Sequence, residues 1–196
     1  MVMDSGGSNV EQLLASDVTG DGKLDLLAWE EGSVHVLINQ GSGSFGAPIS
    51  YQVPFGSGRM AVVDVNVDGQ PDLVVVNGYV GLVYVFLNQG FGSYGTARSI
   101  DAGVDVASVS PADLDGDGWP DLVLGYANST KDYVSLLLNQ RNGSFGDALH
   151  YRTGSMNTSL LITPDVNEGG RSDVVAANAE SGNVTVLISG CQQARP

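Results

Sequence analysis

The stretch Asp113-Leu114-Asp115-Gly116-Asp117-Gly118-Trp119-Pro120-Asp121 sets carboxylates at its first, third, fifth and ninth positions, with glycine at the sixth. Acidic side chains at alternate positions of a tightly turning loop aim several oxygens at one point, and glycine allows the turn. Without a cation between them the same carboxylates repel at close range. Calcium is a hard ion that takes about six to eight oxygens in flexible geometry, and it suits this spacing. Besides the carboxylates of Asp113, Asp115, Asp117 and Asp121, the backbone of Trp119 at the seventh position is a candidate ligand.

Three further copies stand in register: Asp17 to Asp25, Asp64 to Asp72 and Asp165 to Asp173, at spacings of 47, 49 and 52 residues. The second copy has Asp64, Asn66, Asp68 and Asp72, an oxygen side chain at every ligand position. The first has Asp17, Thr19, Asp21 and Asp25, complete if the Thr19 hydroxyl or a water fills the third position. The fourth keeps Asp165, Asn167 and Asp173 but has Gly169 at position five, so it loses one carboxylate. A helical EF-hand needs a glutamate at position twelve, where these loops carry Ala28, Val75, Leu124 and Ala176. Each loop instead runs into a short β-branched stretch, as in a strand-loop-strand site.

The repeat extends beyond the loops. Apolar runs follow at Val34 to Asn39, Val83 to Asn88, Val134 to Asn139 and Val184 to Ser189, and three of them end in Asn-Gln (Asn39-Gln40, Asn88-Gln89, Asn139-Gln140). Beyond each of these stands an aromatic followed by glycine: Phe45-Gly46, Tyr94-Gly95 and Phe145-Gly146. The runs are short, β-branched and bracketed by glycine, which predicts strands and no helix. Each unit reads as four short strands: a lead-in such as Met60 to Val63, a run such as Leu73 to Val76, the segment to Asn88, and a last strand beginning near the aromatic-glycine pair.

One four-stranded sheet cannot bury both faces alone, so a unit repeated at this period predicts an all-β chain of propeller blades. The expected organisation is one domain over residues 1–196, with repeats at about 12–58, 59–107, 108–159 and 160–190 and a tail at 191–196. Length alone also permits two smaller domains. The expected fold is a β-propeller of about four four-stranded blades, as a closed ring or as a segment of a larger propeller. The fourth unit shows no outer strand after Ile188. Val2 to Asp4 is placed to supply one and close the ring, or to be the remnant of a preceding blade.

Composition narrows the function. Of 196 residues 42% are hydrophobic and only 15% charged, with 27 glycines, a mixture suited to many strands and turns. The net charge of −14 argues against nucleic acid and against an anionic membrane surface. No apolar run is long enough to cross a bilayer as a helix. The N-terminus lacks the pattern of a secretory signal, which decides nothing if the chain is part of a longer secreted protein. A single cysteine, Cys191, allows no intrachain disulfide.

Enzymatic signatures are wanting. Twelve of the 22 acidic residues occupy ligand positions of the loops, and Glu30, Glu31, Asp101, Asp105 and Glu180 form no motif. His35 and His150 occupy ordinary strand positions, and no nucleophile elbow, metal-spaced histidine pair or phosphate loop is present. Four Asn-x-Ser/Thr patterns, at Asn128, Asn142, Asn157 and Asn183, are what a chain rich in these residues produces without selection.

The loops together with the aromatic-glycine pairs, including a literal Phe45-Gly46-Ala47-Pro48, resemble the FG-GAP/VCBS repeats of integrin alpha-chain propellers, secreted bacterial proteins and some fungal lectins. The resemblance runs from about Leu13 to Ile188. It implies a propeller with Ca2+ held in the loop between the first two strands of a blade, through the side chains named above and the carbonyls of Lys23, Gln70 and Trp119. Gly169, the missing last aromatic-glycine pair and a count of four units are departures from the integrin-type pattern. The expectation is a non-catalytic, extracellular or cell-surface module for recognition or adhesion. Its ligand would be a glycan or a protein, with self-association if the ring is incomplete. The alternative is an accessory or scaffold portion of a larger secreted hydrolase or lyase.

Overall fold

The computed structural model describes residues 9–30, 32–54, 58–127 and 130–190, and for Ser159 the backbone alone. Val2 to Asp4, Glu31, the Asn128-Ser129 acceptor site, Cys191 and the tail lie outside the described residues. Within them every regular element is a strand. In chain order these are β1 (Val10–Ser16), β2 (Asp25–Glu30), β3 (Ser33–Leu37), β4 (Asn39–Gly41), β5 (Ser44–Phe45), β6 (Ile49–Gln52), β7 (Gly58–Val63), β8 (Asp72–Asn77), β9 (Leu82–Phe86), β10 (Arg98–Asp101), β11 (Val106–Ala112), β12 (Asp121–Tyr126), β13 (Tyr133–Leu137), β14 (Leu149–Arg152), β15 (Thr158–Ile162), β16 (Val174–Asn178) and β17 (Asn183–Leu187). No helix among them is long and apolar enough to cross a membrane.

The chain groups into two compact units, Met1–Val106 and Ala107–Pro196. The first unit holds the sheets β1-β2-β3-β6 and β7-β8-β9-β10; the second holds β11-β12-β13-β14 and a three-stranded sheet, β15-β16-β17. Each is a meander of antiparallel neighbours, with β1 and β15 bulged near Gln12 and Leu160. The last strand of a repeat starts beyond its aromatic-glycine pair, at Ile49, Arg98 and Leu149, because the pair closes a separate small hairpin. There Phe45, Tyr94 and Phe145 bridge back to Asn39, Asn88 and Asn139.

In the first unit the two sheets share one core. Leu27, Trp29, Val34 and Val36 from the first sheet meet Met60, Leu73, Val75 and Phe86 from the second, all almost fully buried. Removing such side chains from water contributes about 1.5–3 kcal/mol each, which is the main force holding these sheets together. Gln12 adds specificity by bonding both the N–H and the carbonyl of Met60, at 2.8 and 3.0 Å. Strand β8 is buried along its whole length, so it reads as a continuous apolar run, Leu73 to Val76, with no alternation.

In the second unit Val123 and Val134 pack on Leu161, Val174 and Ala176. Gly125 stands where the first unit has Trp29. A Cβ there would lie 2.4 Å from the Thr158 carbonyl oxygen and 2.5 Å from Ser108 Oγ, so β15 approaches more closely than any side chain permits. The opposite face of the three-stranded sheet exposes Leu160, Ile162, Val184 and Val186, at 63, 56, 62 and 48%.

Candidate metal centres

Each acidic loop is held in shape by its own carboxylates. In the third loop Asp113 accepts the N–H groups of Gly116 (2.7 Å), Asp117 (3.1 Å) and Gly118 (2.9 Å), and Asp117 accepts that of Trp119 at 2.9 Å. Asp17 does the same for Gly20, Asp21 and Gly22, Asp64 for Asp68 and Gly69, and Asp165 for Gly169 and Gly170. Amides donated to Asp17, first of all from Gly22, hold its carboxyl below the usual range.

The third loop alone, among the described residues, brings three carboxylates within 4.8 Å of one another: Asp113, Asp115 and Asp117. The donor set is all oxygen, which suits a hard divalent cation over a soft one. It is one charge short of an isolated trianion, because Arg141 Nε donates to Asp117 Oδ2 at 2.9 Å and thereby lowers the Asp117 pKa. Lys23 plays the same part in the first loop, its ammonium 2.6 Å from Asp21 Oδ2. In the second loop Asn66 Nδ2 donates to Asp68 at 2.9 Å. In the fourth, Asn167 Oδ1 accepts the Gly169 N–H at 2.7 Å and folds over the space where a fifth-position side chain would begin.

The ninth-position aspartates have a second occupation. Asp25, Asp72, Asp121 and Asp173 are buried, and each uses one oxygen on the amide of the second loop residue and the other on an amide just after the third strand of its sheet. The pairs are Val18 and Asn39 (3.0 and 2.7 Å), Val65 and Asn88 (2.9 and 2.7 Å), Leu114 and Asn139 (3.1 and 2.9 Å), and Val166 and Ser189 (3.0 and 2.8 Å). These carboxylates staple the loop to the sheet whether or not a cation is present. An ionised carboxylate has about four lone-pair sites, so two remain for a metal. Burial pushes Asp72 up to about 6 and Asp121 upward. Asp173 shifts down instead, because the Ser189 amide outweighs desolvation beside the thinner fourth sheet.

The sequence reading did not anticipate the staple, or Arg141. The latter was signalled, since Arg141 takes the left-handed conformation, at φ 65°, directly after Asn139-Gln140 where the other repeats have Gly41 and Gly90. The Asn of each Asn-Gln pair is a clip: Asn39, Asn88 and Asn139 donate through Nδ2 to the carbonyls of Leu24, Pro71 and Pro120, at 2.9, 3.0 and 2.9 Å. The glycine after each aromatic donates its N–H back across the hairpin, Gly95 to Leu87 at 2.9 Å, and a Cβ on Gly95 would meet Gln89 Nε2 at 2.8 Å.

His35 and His150 lie in or at strands, and each joins a cross-strand polar pair. His35 Nδ1 meets Ser50 Oγ at 2.8 Å while its Nε2 contacts Glu30. At the equivalent place in the third sheet the partners are exchanged: Ser135 Oγ sits 2.8 Å from His150 Nδ1 and 2.7 Å from the Tyr126 hydroxyl. The same pairing recurs with its members swapped between strands, which is how a structural hydrogen bond behaves and not how a nucleophile with a dedicated base does.

A profile of the FG-GAP-like repeat matches residues 17–75 and 64–124, and the FG-GAP repeat matches residues 106–143. No curated protein matches the sequence. Among solved structures the chain is similar to an Agrocybe aegerita lectin described as recognising non-reducing terminal N-acetylglucosamine, at 24% identity and a TM-score of 0.62. The likeness covers 90% of this chain and 51% of the lectin, so the chain spans about half the lectin's length. A Photorhabdus luminescens Tc holotoxin pore chain is similar at 21% identity and a TM-score of 0.57, over 90% of this chain and 9% of the toxin chain. These likenesses bear on the fold. The matched repeats span more than half of the sequence, and the chain belongs to the FG-GAP repeat family.

Proposed function

We propose that this chain is a calcium-binding β-propeller module that recognises an extracellular glycan or protein and has no catalytic role of its own. The observation that carries the reading is the convergence of Asp113, Asp115 and Asp117 within 4.8 Å in a chain of FG-GAP repeats. Calcium at the third loop would take these carboxylates, a free lone pair of Asp121 and the Trp119 carbonyl. The second and first loops offer Asp64, Asn66, Asp68, Asp72 and Gln70, and Asp17, Thr19, Asp21, Asp25 and Lys23. The fourth, with Asp165, Asn167 and Asp173, is the weakest. Bound calcium supplies a fixed positive centre that the loop oxygens share, while the ligand binds elsewhere on the blades.

The propeller reading is supported by the open face of the fourth sheet. Gln12, Leu14, Leu27, Trp29, Val34 and Val36 of the first sheet correspond in register to Leu160, Ile162, Val175, Ala177, Val184 and Val186. In the first unit the neighbouring sheet covers that face; here it is exposed and suited to another blade, in a four-bladed ring or a larger one. Likeness to a glycan-binding lectin favours a glycan ligand and an extracellular setting. The alternative, an accessory portion of a larger secreted enzyme, is favoured by the way the fold occupies 9% of the toxin chain.

Isothermal titration with calcium after chelation, followed by a glycan array in calcium and in chelator, tests the proposal. The expected result is binding abolished at the third loop by Asp113→Ala, and glycan signals that need calcium. No calcium uptake would refute the metal reading. A calcium-replete protein that binds neither glycans nor extracellular proteins would refute the recognition reading.

A further inference from the structure

The first three acidic loops hold the fifth-position aspartate in one pose. Its Oδ1 accepts the amide two residues on: Asp21 from Lys23, Asp68 from Gln70 and Asp117 from Trp119, each at 2.9 Å. Its Oδ2 takes a side-chain donor, and the donor differs from loop to loop. Asp21 Oδ2 receives the Lys23 ammonium at 2.6 Å, Asp68 Oδ2 the Asn66 amide at 2.9 Å, and Asp117 Oδ2 the Arg141 guanidinium at 2.9 Å. Two of the three donors are cations.

The two cations arrive by different routes. Lys23 belongs to the loop itself, at its seventh position. Arg141 comes from the turn after β13, at the place where the first two repeats have Gly41 and Gly90. The backbone of that turn is alike in all three repeats. Residues 41, 90 and 141 have positive φ, and their amides donate to Oδ1 of Asn39, Asn88 and Asn139 at 2.9 Å. A side chain grown from this turn meets the loop. A Cβ on Gly41 would lie 3.6 Å from Lys23 Cε, and one on Gly90 would lie 3.3 Å from Gln70 Oε1. Glycine is at ease in this left-handed conformation and arginine is not. What the Arg141 side chain gains there is its contact with Asp117.

A positive group thus reaches the same carboxylate oxygen in the first and third loops from two unrelated sequence positions. The second loop, with Gln70 and Gly90 in those two places, has a neutral amide instead. A divalent cation shared by Asp113, Asp115 and Asp117 needs an oxygen of Asp117, and Oδ1 is already engaged with the Trp119 amide. A guanidinium on Oδ2 takes a lone pair and sets a like charge beside the metal position. Because the Arg141 side chain is exposed, the pair is weak enough to yield to a divalent ion, yet it opposes that ion's entry.

We propose that Arg141, and Lys23 in the first loop, are tethered counter-ions that compete with calcium for Oδ2 of the fifth-position aspartate and so set the affinity of their loops. The inference rests on the calcium reading given above and assigns a role to residues that supply no side-chain oxygen to the metal. Arg141 leaves Asp117 as the third loop fills. The loop with the most carboxylates consequently binds less tightly than its acid count alone dictates.

The test is a calcium titration of the chelated full chain followed by 15N NMR, in which the Gly118 amide reports the third loop and the Arg141 Nε–H resonance reports the guanidinium. Arg141→Gln removes the charge and Arg141→Lys keeps it, and both leave a side chain on the same left-handed residue. The expected result is that the Arg141 resonance shifts in step with Gly118. The third loop should bind calcium about threefold or more tightly in Arg141→Gln, and close to the native affinity in Arg141→Lys. An affinity unchanged or weakened in Arg141→Gln would overturn the proposal and leave the calcium reading standing. A lysine form as tight as the glutamine form would do the same, since charge would then not be the cause. A Gly118 amide that ignores calcium in all three proteins would overturn both.

Discussion

Asp117→Asn and Asp121→Asn remove one charge each from the same loop, and the structure assigns them different costs in the metal-free protein. Asp121 is buried and bonds two backbone amides, those of Leu114 and Asn139. An asparagine retains one oxygen, so one bond survives while the other amide faces an NH2 group. A hydrogen bond to a charged acceptor contributes about 1.5–3 kcal/mol, and relief of the carboxylate's desolvation returns part of it, leaving about 2 kcal/mol. For a chain of this size that is about 4–8 °C in Tm in chelator, before any loss of a calcium ligand is added. Asp117 is a half-buried member of the carboxylate cluster, and its ion pair reaches out to an exposed arginine, Arg141, which makes it the surface kind that stabilises little. Its replacement should leave the chelated protein unchanged or slightly more stable, yet remove the calcium-dependent rise at the third loop. That rise is about 2.7 kcal/mol when calcium is at a hundredfold its Kd. Differential scanning calorimetry of both variants in calcium and in chelator gives the four values needed. If Asp121→Asn costs no more than Asp117→Asn in chelator, the staple is wrongly assigned.

Val67 is a β-branched residue in the left-handed region, at φ 53°, where the first and third loops have Gly20 and Gly116; Val67→Gly should stabilise the chelated protein by up to about 1 kcal/mol, and a lower Tm would show that the conformation is not strained. Asp72, raised to about 6 by burial, holds a proton in the folded metal-free protein that the unfolded chain releases near 3.8. This contribution to stability is complete below the unfolded value and is lost as pH rises through about 6, so carboxyl NMR in chelator should show a midpoint there, and one below 4 would refute it. Gly125→Ala drives a Cβ toward the Thr158 carbonyl and should destabilise the second unit by about 1–3 kcal/mol, measurable by urea unfolding; an unchanged midpoint would mean that β15 is free to shift.

The strands and the four loops were legible because each rests on a local pattern: β-branched runs, glycine at left-handed turns, carboxylates two apart. The fourth repeat's deficit was legible as missing residues, Gly169 and the absent aromatic-glycine pair. What the sequence concealed was the division of labour within a loop. Asp113 and Asp121 are the same residue type at ligand positions, and only the fold reveals that Asp121 lies under the loop with two amides on it. The Asn-Gln pair was visible as a repeated signature, but its reason is a bond from Asn88 to Pro71, a contact between residues 17 apart. The place of the Tyr94 ring was hidden for a similar reason. Tyr94 looks like part of its own repeat, yet its ring belongs to the space beneath Tyr51 of the preceding one.

That exchange makes the first acidic loop a joint between sheets. The Val18 carbonyl, next to the first ligand position, receives the Asn88 side chain and the Gly92 amide of the following repeat, while the Val18 amide is fixed by Asp25. One residue thus connects the loop, the sheet beneath it and the turn of the next sheet. A cation bound beside it restrains the loop's backbone without touching the neighbouring turn, so it stabilises the contact between sheets by keeping one carbonyl in place. Where the next turn is present, as in the first unit, packing around Tyr94 does most of that work and a bound cation would add to it. At Leu114 the amide is fixed by Asp121 in the same way, and no turn of a following sheet is seen among the described residues. There the loop richest in carboxylates has no packed aromatic from a following turn beside it among the described residues, so a cation bound to it would carry more of the task of holding the carbonyl in place.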